Sequence, residues 1–325
     1  MRAETRRPRT DTNRNEMQEA LMRVLSLTLR SAVLAGAALA ITTSTAGAQA
    51  DWASVDQAMG RPGTAQPGEV HRYSFPRTDL RVTAGGITVK PALALGSWVA
   101  FRRMDGGRGK AMAMGDLVLL ENEVTPVLTK LQAMGVAPTA LHNHLERESP
   151  RVMYLHIDAE GDPVRIAEAV HTALGLTKTP PASPPAAAAA SAPGLDTAGL
   201  AKALGHGGKV SGGVYQVSVP RSEPVRLHGM EVPPAMGVAT GINFQPTGGG
   251  RAATTGDFVL TAEEVGPVAA ALGEGGIAVT ALHSHMLGEE PRLYFMHFWA
   301  VADAEALART LHAALGRMKV RMPGA

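Results

Sequence analysis

The residues best suited to chemistry in this chain are histidines, and they come in a cassette that occurs twice. "TALHNHLERESPRVMYLH", Thr139 to His156, returns as "TALHSHMLGEEPRLYFMH", Thr280 to His297, with nine of eighteen positions identical. Six of the eleven histidines fall in these two windows, where random placement would put about one. Alternate residues of a strand share a face, so on a strand His142 and His144 project together, as do His283 and His285. One intervening residue then brings two imidazoles within reach of a single ion. Glu148 and Glu289 follow four residues later in a turn, where a carboxylate can swing back as a further ligand. His156 and His297 lie on the returning strand, on a face set by hairpin register. Three neutral imidazoles and a carboxylate suit a divalent transition metal such as Zn, Cu, Mn, Fe or Ni. Arg151 and Arg292, each following a proline, are candidate anion contacts or turn partners of Glu148 and Glu289. A polar or anionic small-ligand pocket and a purely structural set of hydrogen bonds are the other two readings of the same residues.

Other chemistry is missing. There is no G-x-S-x-G, no P-loop, no G-x-G-x-x-G behind a strand and no HEXXH. The chain has no cysteine, so thiolate ligands, cysteine nucleophiles and disulfides are all excluded. An enzyme built here would have to work through a metal-bound water. Asp116 and Asp257, each after a glycine, read as turn residues at the start of a strand. Arg77 and Arg221, each after a proline, are weaker candidates for anion contact. His171 and His312 sit beside the apolar stripe of a final helix and read as packing residues.

The elements that must position the cassettes repeat with them. "TKTPPASPPAAAAASAP", Thr177 to Pro193, is too proline-rich for a helix or central strand and divides the chain. The expected organisation is an N-terminal extension and signal over 1–50, a first repeat over 51–176, a linker over 177–193 and a second repeat over 194–325. "GEVHRYSFPR" (Gly68–Arg77) faces "GGVYQVSVPR" (Gly212–Arg221), and "GDLVLLENEVTPV" (Gly115–Val127) faces "GDFVLTAEEVGPV" (Gly256–Val268). A duplicated unit of roughly 125 residues has the length of a domain, not of a solenoid repeat. Each unit reads as a short helix stopped by glycine (Gly60, Gly205), then strands around 71–75, 97–103 and 111–119. A helix over about 121–134 follows, then the cassette hairpin and a last helix (163–174, 304–315). Thr261 and Glu264 form a capping-box pair, and Pro163 suits a first helical position. The order βββαββα predicts an α+β protein: two tandem homologous α+β sandwich domains, each an antiparallel sheet with helices packed on one face.

The N-terminus reads as an export signal. "MRVLSLTLRSAVLAGAALAITTSTAGAQA", Met22 to Ala50, has arginines ahead of an apolar run and closes on Ala-Gln-Ala, predicting cleavage after Ala50. Met1 and Met22 are both plausible starts. The apolar run is shorter than the ~20 residues of a spanning helix. The expected product is a periplasmic or secreted protein with no membrane anchor, and without cysteine it is no lipoprotein. Seven of the 31 Lys/Arg and four of the 29 Asp/Glu lie in residues 1–50, which leaves 24 against 25 in the remainder. So balanced a chain has no electrostatic footprint for nucleic acid.

"KPALALGSWVAF", "MGDLVLLENEV" and "TALHNHLERESPRVMYLHI" resemble the bacterial LppY/LpqO family, domain of unknown function 1259, in two tandem copies. The resemblance implies an exported, envelope-associated protein of unestablished activity, and it brings no catalytic residues to carry over. Some relatives are lipoproteins, and the absent cysteine sets this chain apart from them. The expected function is a binding protein with a His-rich metal site in each repeat, or one site shared across a pseudo-twofold axis. A metal-dependent hydrolase or oxidoreductase and a non-catalytic interaction module are the alternatives.

Overall fold

A computed structural model describes residues 44–104, 109–181, 192 and 194–321, with 44–51 as backbone only. The signal segment before Ser44 and linker residues 182–191 and 193 lie outside the described residues. Among the described residues no helix is long and apolar enough to cross a membrane. The chain divides into Met1–Ala53 and a compact unit, Ser54–Ala325, which holds both repeats.

Each repeat is a six-stranded antiparallel sheet. In the first, α1 (Ser44–Met59) leads to β1 (Thr64–Gln66) and β2 (Val70–Pro76). A small hairpin, β3 (Thr83–Ala84) and β4 (Ile87–Thr88), and the turn α2 (Pro91–Ala94) are followed by β5 (Gly96–Arg103) and β6 (Ala111–Leu120). Then come α3 (Glu121–Ala133), β7 (Ala137–His142), β8 (Val152–Gly161) and α4 (Pro163–Leu174). The second repeat runs α5 (Thr197–Leu204), β9 (Lys209–Ser211), β10 (Val214–Pro220), β11 (Arg226–Leu227), β12 (Met230–Glu231) and a 3₁₀ turn (Pro234–Met236). It continues with β13 (Ala239–Gly248), β14 (Arg251–Leu260), α6 (Ala262–Glu274), β15 (Ala278–His283), β16 (Tyr294–Asp303) and α7 (Ala304–Leu315). The strand orders are β1-β2-β5-β6-β8-β7 and its mirror in sequence, β15-β16-β14-β13-β10-β9. The tandem α+β architecture is as the pattern predicts.

Local chemistry explains the ends of the elements. Gly60 (φ +70°) and Gly205 (φ +78°) end the first helices in the left-handed conformation that glycine tolerates. His171 and His312 complete those ends from the last helices, their Nδ1 atoms lying 3.1 Å from the Met59 carbonyl and 2.9 Å from the Leu204 carbonyl. Both are structural caps. Thr261 and Glu264 form the reciprocal half of the box: the Glu264 carboxylate accepts from Thr261 N at 2.8 Å. Glu123 does the same for Leu120 N at 2.9 Å.

Arg77 and Arg221 are not anion contacts. Arg77 is fully buried; it donates to the Val118 carbonyl (2.7 Å) and to both oxygens of Glu123 (2.8 and 3.1 Å). Asp79 takes its remaining donors at 2.9–3.0 Å. Arg221 repeats this with the Val259 carbonyl, Glu264 and Glu223. Each pair ties the end of a sheet strand to the first turn of the following helix.

The helices cover one face of each sheet. In the second repeat Phe258, Leu260, Met296 and Phe298 pack there against Val268, Leu272, Leu307 and Leu311. The opposite faces do not meet solvent; they meet the other repeat. One shared cluster joins Ala100, Met112 and Met114 to Val225, Leu227, Met236 and Phe295. Another joins Val82, Leu93, Val118 and Tyr154 to Val214 and Ala253. Polar side chains stitch the seam: Gln245 accepts from Lys90 N and donates to the Thr88 carbonyl, and Gln216 donates to the Ala92 carbonyl. The layers run helices, sheet, sheet, helices.

Candidate metal centre

All six cassette histidines converge on this seam. Asp116 of β6 pairs across the ladder with His156 of β8, and Asp257 of β14 pairs with His297 of β16. Ala140 also faces His156 and His142 faces Tyr154, so His142, His156 and Asp116 share the inward face. The second repeat matches it, with Ala281 opposite His297 and His283 opposite Phe295. β7 and β15 end at His142 and His283, so His144 and His285 project from the loops beyond them, not from the strands. The connections between the cassette strands therefore run over 143–151 and 284–293.

The rings interleave across the pseudo-twofold axis. His142 stacks on His283 with centroids 3.6 Å apart, His144 on His297 at 3.9 Å and His156 on His285 at 3.6 Å. Two sets of imidazole nitrogens each lie within 4.8 Å of one another: His142, His144 and His156, and His283, His285 and His297 joined by His142. The two sets share His142, so both repeats contribute to one histidine cluster.

Two threonines lock the halves together. Thr139 and Thr280 occupy β-bulges, where the ladder skips a residue. Thr139 donates its hydroxyl to the His285 carbonyl at 2.6 Å, and Thr280 donates to the His144 carbonyl at 2.6 Å. Thr139→Val and Thr280→Val should each lower stability by about 1–2 kcal/mol, since a part-buried carbonyl loses its donor. Urea midpoints check this, and an unchanged midpoint in both would show that the clasp is idle.

Nitrogen roles follow from the backbone. His297 Nδ1 donates to the Gly256 carbonyl at 2.9 Å; His142 and His283 reach the carbonyls of Asn143 and Ser284 at 3.2 and 3.3 Å. A proton held on Nδ1 leaves Nε2 as a bare lone pair, the usual preparation of a metal-ligating histidine. All six Nε2 atoms, together with Oδ1 of Asp116 and of Asp257, are buried without a hydrogen-bond partner among the described residues. Buried polar atoms are almost always paired, and orphans cost on the order of 1–3 kcal/mol each. Eight such atoms lie together here, and they are of the types that ligate metal ions.

Electrostatics points the same way. Burial first, then the neighbouring imidazoles, holds His144, His156, His285 and His297 well below the ordinary histidine value. Burial and then His283 bring His142 down to about 3, and burial brings His283 down to about 4. Six neutral imidazoles are ready ligands. Burial raises Asp116 to about 8 against the pull of Arg72; burial and then the charge of Asp116 raise Asp257 well above the carboxylate range. A cation at the centre would reverse the preference of both carboxyls.

The carboxylates chosen from sequence lie elsewhere. Glu289 accepts from Leu293 N at 2.9 Å and pairs with Arg292 at 3.4 Å; Glu148 accepts from Val152 N at 3.3 Å. Both brace their own loops. Arg292 also donates to the Met286 carbonyl, and Arg151 is exposed beside Pro150. Neither joins the histidines. Their place is taken by Asp116 and Asp257, read from sequence as turn residues but seated within β6 and β14. Asp116 lies 3.8 Å from the ring nitrogens of His144 and His156, and Asp257 lies 3.9 Å from those of His285 and His297. The available signal was the duplicated Gly-Asp. Gly256 packs so tightly on the Gly241 carbonyl, and Gly115 on the Trp98 carbonyl at 2.8 Å from a notional Cβ, that a side chain is excluded. Such close approach marks a central strand, not its start.

With this geometry in hand, comparison with known proteins gives one informative match. The family described as Domain of Unknown Function (DUF1259) matches residues 53–176 and again 198–317. No curated protein matches the chain. Among solved structures, the trimeric bacterial microcompartment shell protein PduB is 12% identical, over 78% of this chain and 89% of that one, with a TM-score of 0.20. EtuB from Clostridium kluyveri is 10% identical over the same shares, with a TM-score of 0.22. At those scores neither likeness carries an argument.

Proposed function

The chain belongs to the DUF1259 family, two copies of whose domain make up most of its length, and from that premise we infer a metal-binding protein whose two repeats build one composite centre. The observation that carries this reading is the set of six buried, unpartnered Nε2 atoms facing one another across the seam. A structural role would pair those atoms. An anionic ligand would call for cationic donors, yet the histidines are held neutral and the groups beside them are carboxyls. An imidazole-rich set with two carboxyls at its margin suits Zn, Cu, Ni or Fe over Mg or Ca. The centre is closed on most sides, which favours holding an ion over turning over a substrate; a hydrolase or oxidoreductase would need an open coordination position. The Met22–Ala50 segment supports a site of action in the periplasm or outside the cell.

Metal content of the purified protein tests this. One to two equivalents of transition metal are expected, falling below a tenth in His142→Ala/His283→Ala with the far-ultraviolet circular dichroism unchanged. Protein that holds no metal even after incubation with Zn, Cu and Mn would end the reading.

A further inference from the structure

The composite centre is symmetric in its histidines and asymmetric in what lies beside them. A small cavity of about 10 Å³, the scale of a single water or ion, is lined in part by His156 and His285. Met114, Met236 and Met286 all line it, with Asp158 and Trp98. The three methionines come from β6, the 3₁₀ turn and the loop after β15, and all are buried. Three separate elements thus bring methionines to one small cavity that is also lined by His156 and His285, whose Nε2 atoms have no partner among the described residues.

The duplication did not keep the residues of this cavity at the equivalent places of the other repeat. Counting from the aspartate–histidine pairs, Met114 opposite Asp158 corresponds to Thr255 opposite Trp299. Trp98 opposite Asp116 corresponds to Gly241 opposite Asp257, and Met286 corresponds to Leu145 in the cassette. On that side the Trp299 indole instead packs against the Gly85 turn, with Nε1 3.3 Å from a notional Cβ there. One flank of the centre carries Met114 and Met286; the equivalent places on the other carry Thr255 and Leu145.

Thioether sulfur is a soft ligand that binds monovalent copper well and hard or borderline divalent ions poorly. We propose that Met114, Met236 and Met286, with the imidazoles of His156 and His285, form a soft-cation subsite that takes Cu(I). This rests on the metal-binding reading above and narrows the cation it serves. The subsite gives the centre a preference that histidines alone do not supply, since imidazole accepts Zn and Cu alike.

The test is an anaerobic titration of the full-length protein with Cu(I) against the chromogenic chelator bicinchoninate, beside a parallel Zn(II) competition. Met114→Leu/Met236→Leu/Met286→Leu should weaken Cu(I) binding at least tenfold and leave Zn(II) binding within twofold. Met114→Thr, which installs the residue found at the equivalent place in the second repeat, should weaken Cu(I) several-fold and guards against misfolding of the triple variant. Methionines acting as mere filler would leave both titrations unchanged, and that overturns the subsite. Protein that binds Zn(II) but no Cu(I) also overturns it while sparing the metal-binding reading. Protein that binds neither ion sinks both.

Discussion

Arg77→Ala should cost about 3–5 kcal/mol of stability, the usual penalty for stripping one partner from a buried ion pair. For a chain of this size that corresponds to a fall of roughly 10 °C in melting temperature. The variant leaves the Glu123 carboxylate buried with only the Leu120 and Lys178 amides as donors, and it orphans the Val118 carbonyl. Arg221→Ala should cost less. Its Nε has no partner, and its outer carboxylate, Glu223, is 40% exposed, against 17% for Asp79. Arg77→Met combined with Glu123→Gln removes both charges and keeps an acceptor for the helix start, so it should recover most of the loss. Calorimetric melting of the four proteins decides this; equal effects at 77 and 221 would show that the outer carboxylates contribute nothing.

Stripped of metal, the protein should be most stable near pH 6.5 and lose stability on both sides. A histidine whose folded value is depressed binds its proton more readily when unfolded. The window for His142 runs from the ordinary 6.5 down to about 3, and for His283 down to about 4. Acidification below 6.5 therefore favours unfolding. Asp116 works in the opposite sense: its folded value of about 8 means stability is lost as pH rises from the ordinary carboxylate range through 8. Between pH 8 and 6.5 only the aspartates titrate in this centre, so acidification stabilises. Below 6.5 six histidines oppose two aspartates, and each net proton is worth about 1.4 kcal/mol per pH unit. The expected fall is several kcal/mol between pH 6.5 and 5. Melting curves in chelator across pH 4.5–8.5 test the peak, and Asp116→Asn/Asp257→Asn should flatten its alkaline side and steepen its acid side, where the aspartates no longer oppose the histidines. Saturating metal should remove the alkaline loss, because a cation stabilises the ionised carboxylates. A monotonic rise in stability up to pH 8.5 in chelator would contradict the raised aspartates.

Much of this was legible in the residues. Alternation at Tyr73 and Phe75, glycine at 60 and 205, and proline at 163 are local signals, and local signals mark helices, strands and their ends reliably. The duplication and the histidine windows needed only self-comparison. What escaped was everything non-local. The bulges at Thr139 and Thr280 set which side chains face inward, and a bulge leaves no mark in an alternating pattern. Glu148 matched a ligand spacing, but its carboxylate is held by an amide four residues on. Asp116 looked like a turn residue because its neighbour is glycine, and the need for that glycine comes from Trp98 on the adjacent strand. A centre shared across a pseudo-twofold axis was one of two arrangements open to the sequence, and choosing it required knowing that two sheets meet face to face.

The clasp between Thr139 and Thr280 also speaks to ancestry. Contacts that trade places between two copies of a fold are the signature of an isologous interface, the kind that joins identical subunits about a twofold axis. A single-repeat forebear would have assembled this centre only as a pair of chains, each surface bound to match itself. Joining the two copies in one chain lifted that restriction. Within one chain position 114 can carry methionine while its counterpart 255 carries threonine, so the two sides of the axis need not match.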